Sequence, residues 1–162
     1  MPLATIDANG VPFTVRRAER DDLPALTELI AADALRANDD SSAPEHRGPY
    51  EVAFDAIDRD SAHTLVVVED ADGAVAGTMQ LTLLPGLARA GAARMQIEAV
   101  RVGESARGLG LGSAMIRWAI DEGRACGAAL VQLTSDVRRE DAHRFYERLG
   151  FEASHVGFKL FL

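Results

Sequence analysis

Arg107-Gly108-Leu109-Gly110-Leu111-Gly112-Ser113 lies between an apolar, strand-like segment at 95–102 and a helix-like segment that begins near Gly112. Three glycines at alternate positions leave no β-carbons in the path of a phosphate-bearing ligand that hydrogen-bonds the backbone. The first N–H groups of the following helix lack intrahelical acceptors and carry the positive end of its dipole, so they face the anion. The stretch reads as a pyrophosphate cradle at a strand-to-helix turn.

Two well-known cradles do not fit. A P-loop needs Gly, four residues and then Gly-Lys-Ser/Thr, and no lysine precedes Ser113. The dinucleotide fingerprint Gly-x-Gly-x-x-Gly fails because Gly108, Gly110 and Gly112 are evenly spaced, and because that loop opens its domain whereas this one lies two-thirds of the way along the chain.

Outward from the loop, short strands and helices alternate. The segment 12–18 reads as a first strand, and Asp21 or Asp22 as the N-cap of a helix with Pro24 in its first turn. Leu26, Leu29, Ile30 and Leu35 give that helix an apolar stripe. A polar loop at 38–44 leads to a second helix at 50–57, with Val52, Phe54 and Ile57. The β-branched run 64–69, the turn 70–73 and a strand at 74–84 make a hairpin, and 87–93 connects it to the strand at 95–102.

After the glycine loop, Met115, Ile116, Ala119 and Ile120 form the buried face of a helix that stops at Gly127. A strand at 129–134, a helix at 140–149 ending at Gly150, and one or two strands within 151–162 complete the order. The expected fold class is α/β: a single domain over 1–162, with a central mixed sheet and helices on both faces.

Composition narrows the function. The chain has 162 residues, 48% of them hydrophobic, enough for one substantial core. No apolar run approaches the roughly 20 residues of a transmembrane helix, and the first residues have neither a basic start nor a long apolar stretch, so no membrane partner and a cytoplasmic location are expected. A net charge of −8, its acidic excess concentrated over 19–60, argues against nucleic acid as a partner. The single cysteine, Cys126, excludes an internal disulfide framework and is expected as a buried small side chain rather than an acyl-carrying nucleophile. His46, His63 and His155 are isolated, and no His/Cys/Asp/Glu spacing points to a metal.

Arg107-x-x-Gly110-x-Gly112 after the strand Ile97-Glu98-Ala99-Val100-Arg101-Val102, followed by Arg144-Phe145-Tyr146-Glu147-Arg148-Leu149-Gly150-Phe151, resembles the GNAT superfamily of acetyl-CoA-dependent N-acetyltransferases. The resemblance covers the C-terminal two-thirds of the chain. It implies a mostly antiparallel sheet in which one parallel pair of strands splays apart to admit the pantetheine arm. It implies acetyl-CoA as cosubstrate, bound at Arg107, Gly108, Leu109, Gly110, Leu111, Gly112 and Ser113 through its pyrophosphate. Along the strand, Val100, Arg101 and Val102 would bind the pantetheine arm, the two valines through their backbone amides. The partner implied is a small-molecule amine, and a homodimer is left open.

Acetyl transfer to an amine needs a neutral nitrogen, an oxyanion donor and a proton for the departing thiolate. Alkyl ammonium groups titrate near ~10, so a base or a water chain must take a proton at neutral pH. Glu98, on the strand leading to the thioester, is the candidate base; a surface or structural carboxylate is its other reading. Tyr146 matches the family's general acid, since a phenol is protonated at neutral pH and can donate to a thiolate. Its other reading is an aromatic anchor beside Phe145, Leu149 and Phe151. By the same resemblance the oxyanion donor is a backbone N–H near Val100.

Arg139 departs from the family, since many relatives carry Asn seven residues before the tyrosine. Ser135 and Asp136 are expected to cap that region, and the remaining function classes are a non-catalytic acyl-CoA sensor and a protein N-terminal or lysine acetyltransferase.

Overall fold

The structure, a computed structural model, describes residues 1–33 and 40–162. Leu35 and the loop positions 38 and 39 lie outside the described residues. Six strands form one sheet in sequence order: β1 (Pro2–Ala8), β2 (Val11–Arg17), β3 (His63–Glu69), β4 (Val75–Leu84), β5 (Arg94–Val102) and β6 (Leu130–Leu133). Every neighbouring pair is antiparallel except β5 and β6, which are parallel. The mixed sheet and its single parallel pair agree with the expected class.

β1 had no counterpart in the sequence reading. It forms because Asn9 (φ 54°) and Gly10 (φ 91°) both take the left-handed conformation that a two-residue hairpin turn between Ala8 and Val11 demands. The resulting alternation puts Ile6, Ala8, Phe13 and Val15 into the core.

Helices cover both faces. On one, α1 (Leu23–Ala31) and α2 (Arg47–Arg59) bury Leu23, Leu26 and Phe54 against Val67, while Val52 points outward. Asp22 does not cap α1 with its side chain. Its carboxylate accepts from the Glu19 N–H at 2.7 Å and from two Arg16 nitrogens at 2.7 and 2.8 Å. The 87–93 connector contains a short turn, α3 (Ala88–Gly91), in which Arg89 and Ala90 are left-handed.

The larger core lies on the other face. There α4 (Leu111–Ala125) buries Leu111, Ala114, Met115, Trp118 and Ala119, one helical stripe, against Met79, Leu81, Met95 and Ile97 of the sheet. α5 (Glu140–Arg148) adds Phe145 and Tyr146 to the margin of that core.

Two expectations fail. Cys126 is exposed, because it lies past the last turn of α4, beyond Gly123, the final buried residue of that helix. The segment 151–162 forms no strand. It has the apolar alternation of one, but a strand needs a neighbour to take its backbone hydrogen bonds, and among the described residues no strand pairs with it.

Candidate active site

The site begins with a bulge. Glu98 pairs with Gln80 and Arg101 with Thr78, so Ala99 and Val100 on β5 together oppose Met79 alone on β4. Ala99 absorbs the extra residue at φ 52°, a conformation that costs a side-chain-bearing residue energy and marks a position under constraint. Beside the bulge, the β5–β6 ladder ends at the Ile97–Leu133 pair, while β5 continues to Val102. Past Ile97 the two parallel strands therefore part, and among the described residues the β6-facing backbone edge of β5 at 98–102 has no strand partner.

The glycine loop lies at the open end of this gap. Gly108 (φ 78°) and Gly110 (φ 88°) are left-handed, and Gly110 is the N-cap of α4. The first helix-closing bond of α4 runs from the Ala114 N–H to the Gly110 carbonyl at 3.1 Å. Among the described residues no backbone carbonyl outside the helix accepts from the N–H groups of Leu111, Gly112 or Ser113, and no side chain caps them. This is a fitting environment for a pyrophosphate, with free donors, a helix dipole and no β-carbon at Gly108 or Gly110. Arg107, exposed, stands at its rim, and Leu109 is exposed beside it.

Asn9, at the tip of the unforeseen hairpin, holds the loop. Its Nδ2 donates to the Leu109 carbonyl at 3.1 Å, and a β-carbon added at Gly110 would lie 2.6 Å from that nitrogen. Gly112 is less constrained, since a β-carbon there meets Phe145 Cζ at 3.6 Å and Val102 Cγ2 at 3.7 Å, both ordinary contacts. Those contacts also show that β5, the start of α4 and α5 converge at one place.

Tyr146 is half-buried at this convergence. Its ring packs edge-on to Phe145 (centroids 5.1 Å apart) and to Phe151 (5.9 Å). Burial pushes the phenol pKa up, and the nearby positive charges of Arg139 and Arg101 offset this only in part. The phenol is thus held protonated at neutral pH, while the two guanidiniums favour the phenolate once a proton has left.

Glu98 is exposed, and its side chain makes no hydrogen bond or ion pair among the described residues. Its face of the sheet, the one that α1 and α2 partly cover, carries a polar group absent from the sequence reading. The strand registers align Leu65, Gln80 and Glu98 in one row, and His63, Thr82, Gln96 and Gln132 in the next. His63 Nδ1 is 2.9 Å from Thr82 Oγ1 and 3.3 Å from Gln80 Nε2, and Gln132 Nε2 donates to Gln96 Oε1 at 2.7 Å.

At the far end of the same face, Asp33 accepts from Arg101 Nη2 at 2.9 Å and is ion-paired with Arg139, drawing α1, β5 and the start of α5 together. Arg101 also donates from Nη1 to the Val100 carbonyl at 2.9 Å, so that carbonyl already has a donor. Asp136 orders the turn before α5, accepting from the Arg138 backbone and side chain, and His143 contacts the Asp136 carbonyl. Among the described residues there is no group of three His, Cys, Asp or Glu that could hold a metal ion, and no helix is long and apolar enough to cross a membrane.

A model of the acetyltransferase (GNAT) family matches residues 24–151. A crystal structure described as a transcriptional regulator from Bacillus halodurans C-125 superposes with a TM-score of 0.88 at 37% identity, covering 93% of this chain and 99% of that one. Aminoalkylphosphonate N-acetyltransferase from Salmonella typhimurium is 46% identical over 52 residues, 32% of this chain and 34% of that protein. Glucosamine 6-phosphate N-acetyltransferase from Trypanosoma brucei brucei is 38% identical over 90 residues, 56% of this chain and 59% of that protein.

Proposed function

This chain belongs to the acetyltransferase (GNAT) family, and from that premise we propose that it moves the acetyl group of acetyl-CoA onto the primary amine of a small molecule, by direct attack in a ternary complex. The observation that carries the reading is the parting of β5 and β6 past Ile97, with a donor-lined glycine loop at its open end. The backbone edge at Val100 and Val102 would receive the pantetheine arm as an added strand. The N–H groups at the start of α4 would hold the pyrophosphate, with Arg107 adding charge at the rim.

In the reaction the amine nitrogen bonds to the thioester carbonyl carbon, the carbon–sulfur bond breaks, the sulfur takes the Tyr146 proton, and the proton that the nitrogen sheds as the amide forms restores the Tyr146 hydroxyl. The ammonium proton leaves toward Glu98, directly or through water, before the nitrogen attacks. A backbone N–H near Val100 donates to the oxyanion. Cys126 takes no part, since the 15-residue α4 places it roughly 20 Å from the glycine loop.

The acceptor lies on the polar rows around Glu98. Both curated relatives are named for amines that bear a phosphonate or phosphate, and Arg101 and Arg139, both joined to Asp33, bring two guanidinium groups to the same face. An amine with an anionic substituent fits that pairing of charges. A non-catalytic acyl-CoA sensor is the second reading, favoured by the description of the Bacillus halodurans relative as a transcriptional regulator.

Tyr146→Phe separates the two. It removes one hydroxyl, so acetyl-CoA affinity should hold while turnover falls by about 10²-fold. An acyl donor with a more acidic thiol should recover much of that rate, because its leaving group departs unprotonated. Unchanged turnover in the variant rejects the acid role. A wild type that binds acetyl-CoA and acetylates no amine is a sensor.

A further inference from the structure

The polar rows beside Glu98 hold a histidine whose ring proton can be placed from its neighbours. His63 opens β3, and its side chain is half-buried. Its Nδ1 lies 2.9 Å from Thr82 Oγ1 and 3.3 Å from Gln80 Nε2. Its Nε2 lies 3.8 Å from Asp60 Oδ2. Asp60 is fixed by the turn that ends α2, where its Oδ1 accepts from the Ala62 N–H at 2.9 Å and its carbonyl from the His63 N–H at 3.0 Å.

These partners suit one tautomer. An amide nitrogen only donates, so Gln80 needs a bare Nδ1, and a carboxylate only accepts, so Asp60 favours the proton on Nε2. The other tautomer would set donor against donor at Gln80 and acceptor against acceptor at Asp60. Thr82, buried, turns its hydroxyl proton to the same Nδ1 lone pair. His63 thereby decides which way round the Gln80 amide stands, with its nitrogen toward the ring and its oxygen away from it. Gln80 Oε1 accepts no hydrogen bond among the described residues.

Gln80 is also the direct cross-strand partner of Glu98. Residues so opposed have β-carbons about 4.5–5.5 Å apart, so one nitrogen atom can reach both side chains. A neutral primary amine has two N–H bonds and a lone pair. With one N–H given to Gln80 Oε1 and the other to Glu98, the lone pair is left for the thioester carbon.

We propose that Gln80 Oε1 and Glu98 together hold the acceptor nitrogen, and that His63 is the positioning residue that keeps the Gln80 oxygen turned toward it. The inference rests on the acetyl-transfer reading above and adds a preference to it. An N-methylated amine, once neutral, has a single N–H and satisfies only one of the two acceptors, so the site selects primary amines.

Steady-state kinetics with an acceptor of the wild type and with its N-methyl derivative test this. His63→Leu should lower kcat/KM for the primary amine about 5–10-fold, the scale of one hydrogen bond, and leave the KM of acetyl-CoA unchanged. His63→Asn, whose Oδ1 can stand where Nδ1 stood, should recover most of the loss. Gln80→Leu should show the same loss with a reduced preference for the primary amine, and adding His63→Leu to it should cost nothing more. Unchanged acceptor kinetics in His63→Leu, or losses that add in the double variant, overturn the proposal. A wild type that acetylates no amine overturns the acetyl-transfer reading and, with it, the role given to Gln80. Nitrogen-15 NMR of the wild type reads the tautomer without turnover, in mildly alkaline buffer where histidines are neutral. The His63 ring, assigned by through-bond correlation, should carry its proton on Nε2, and a proton on Nδ1 overturns the positioning role whatever the activity.

Discussion

Gly110→Ala is the sharpest perturbation of the glycine loop, and its size can be worked from the structure. At φ 88° an alanine is strained by roughly 1–2 kcal/mol relative to glycine. The new methyl would stand 2.6 Å from Asn9 Nδ2, displacing the bond to the Leu109 carbonyl for a further ~1 kcal/mol. The loop can relax in the free protein and must be restored when a pyrophosphate binds, so about 2–3 kcal/mol is divided between the melting temperature and coenzyme affinity. Titration calorimetry should show coenzyme A weakened by about 10-fold or more, while pantetheine, which lacks the pyrophosphate, weakens by less than about 3-fold. Gly112→Ala is the control, since its methyl makes only ordinary contacts. Equal losses for both ligands, or equal effects of both alanines, would refute the cradle.

If Glu98 conducts the proton of the amine, Glu98→Gln should lower turnover about 10–100-fold at neutral pH and much less as pH approaches ~10, where the amine is already free; a constant deficit across that range in the pH–rate profile makes Glu98 structural. Asp22→Asn tests the Arg16–Asp22–Glu69 cluster beneath α1 and should cost about 1–2 kcal/mol at pH 7, a drop of roughly 3–8 °C in a calorimetric melt. Burial opposes the charge on Asp22, but the hydrogen bonds from Arg16 and the Glu19 N–H outweigh it and lower its pKa. Its stabilisation is therefore complete above the unfolded carboxylate pKa near ~4 and is lost as pH falls through the lower folded value, so the gap between wild type and variant should close below about pH 4.

The parts of the site that are local in sequence were legible in it. The glycine loop, the strand before it, the α4 stripe and the Phe145-Tyr146 pair each announce themselves within a few residues, and the structure brings them to one place. The hairpin that clamps the loop was signalled by Asn9-Gly10, a turn dipeptide, but its strands are short and its target, Leu109, is 100 residues away. The polar rows around Glu98 were hidden for another reason. Gln80, Gln96 and Gln132 look like ordinary outward positions of three strands, and only the registers place them side by side. The same holds for Asp33, Arg101 and Arg139, drawn from three elements. At 151–162 the alternation was visible, whereas the identity of a strand's neighbour is not a property of its own sequence.

The central claim, acetyl transfer from acetyl-CoA to a small amine, is tested most directly by incubating the wild type with acetyl-CoA and a panel of amines. Thiol release is followed, and the products are weighed by mass spectrometry. The account predicts free coenzyme A and an N-acetylated amine in equal amounts, with amines carrying a phosphate or phosphonate among the best acceptors and turnover dependent on Tyr146. Tight binding of acetyl-CoA with no acetylated amine from any class, small molecule or peptide, would contradict it.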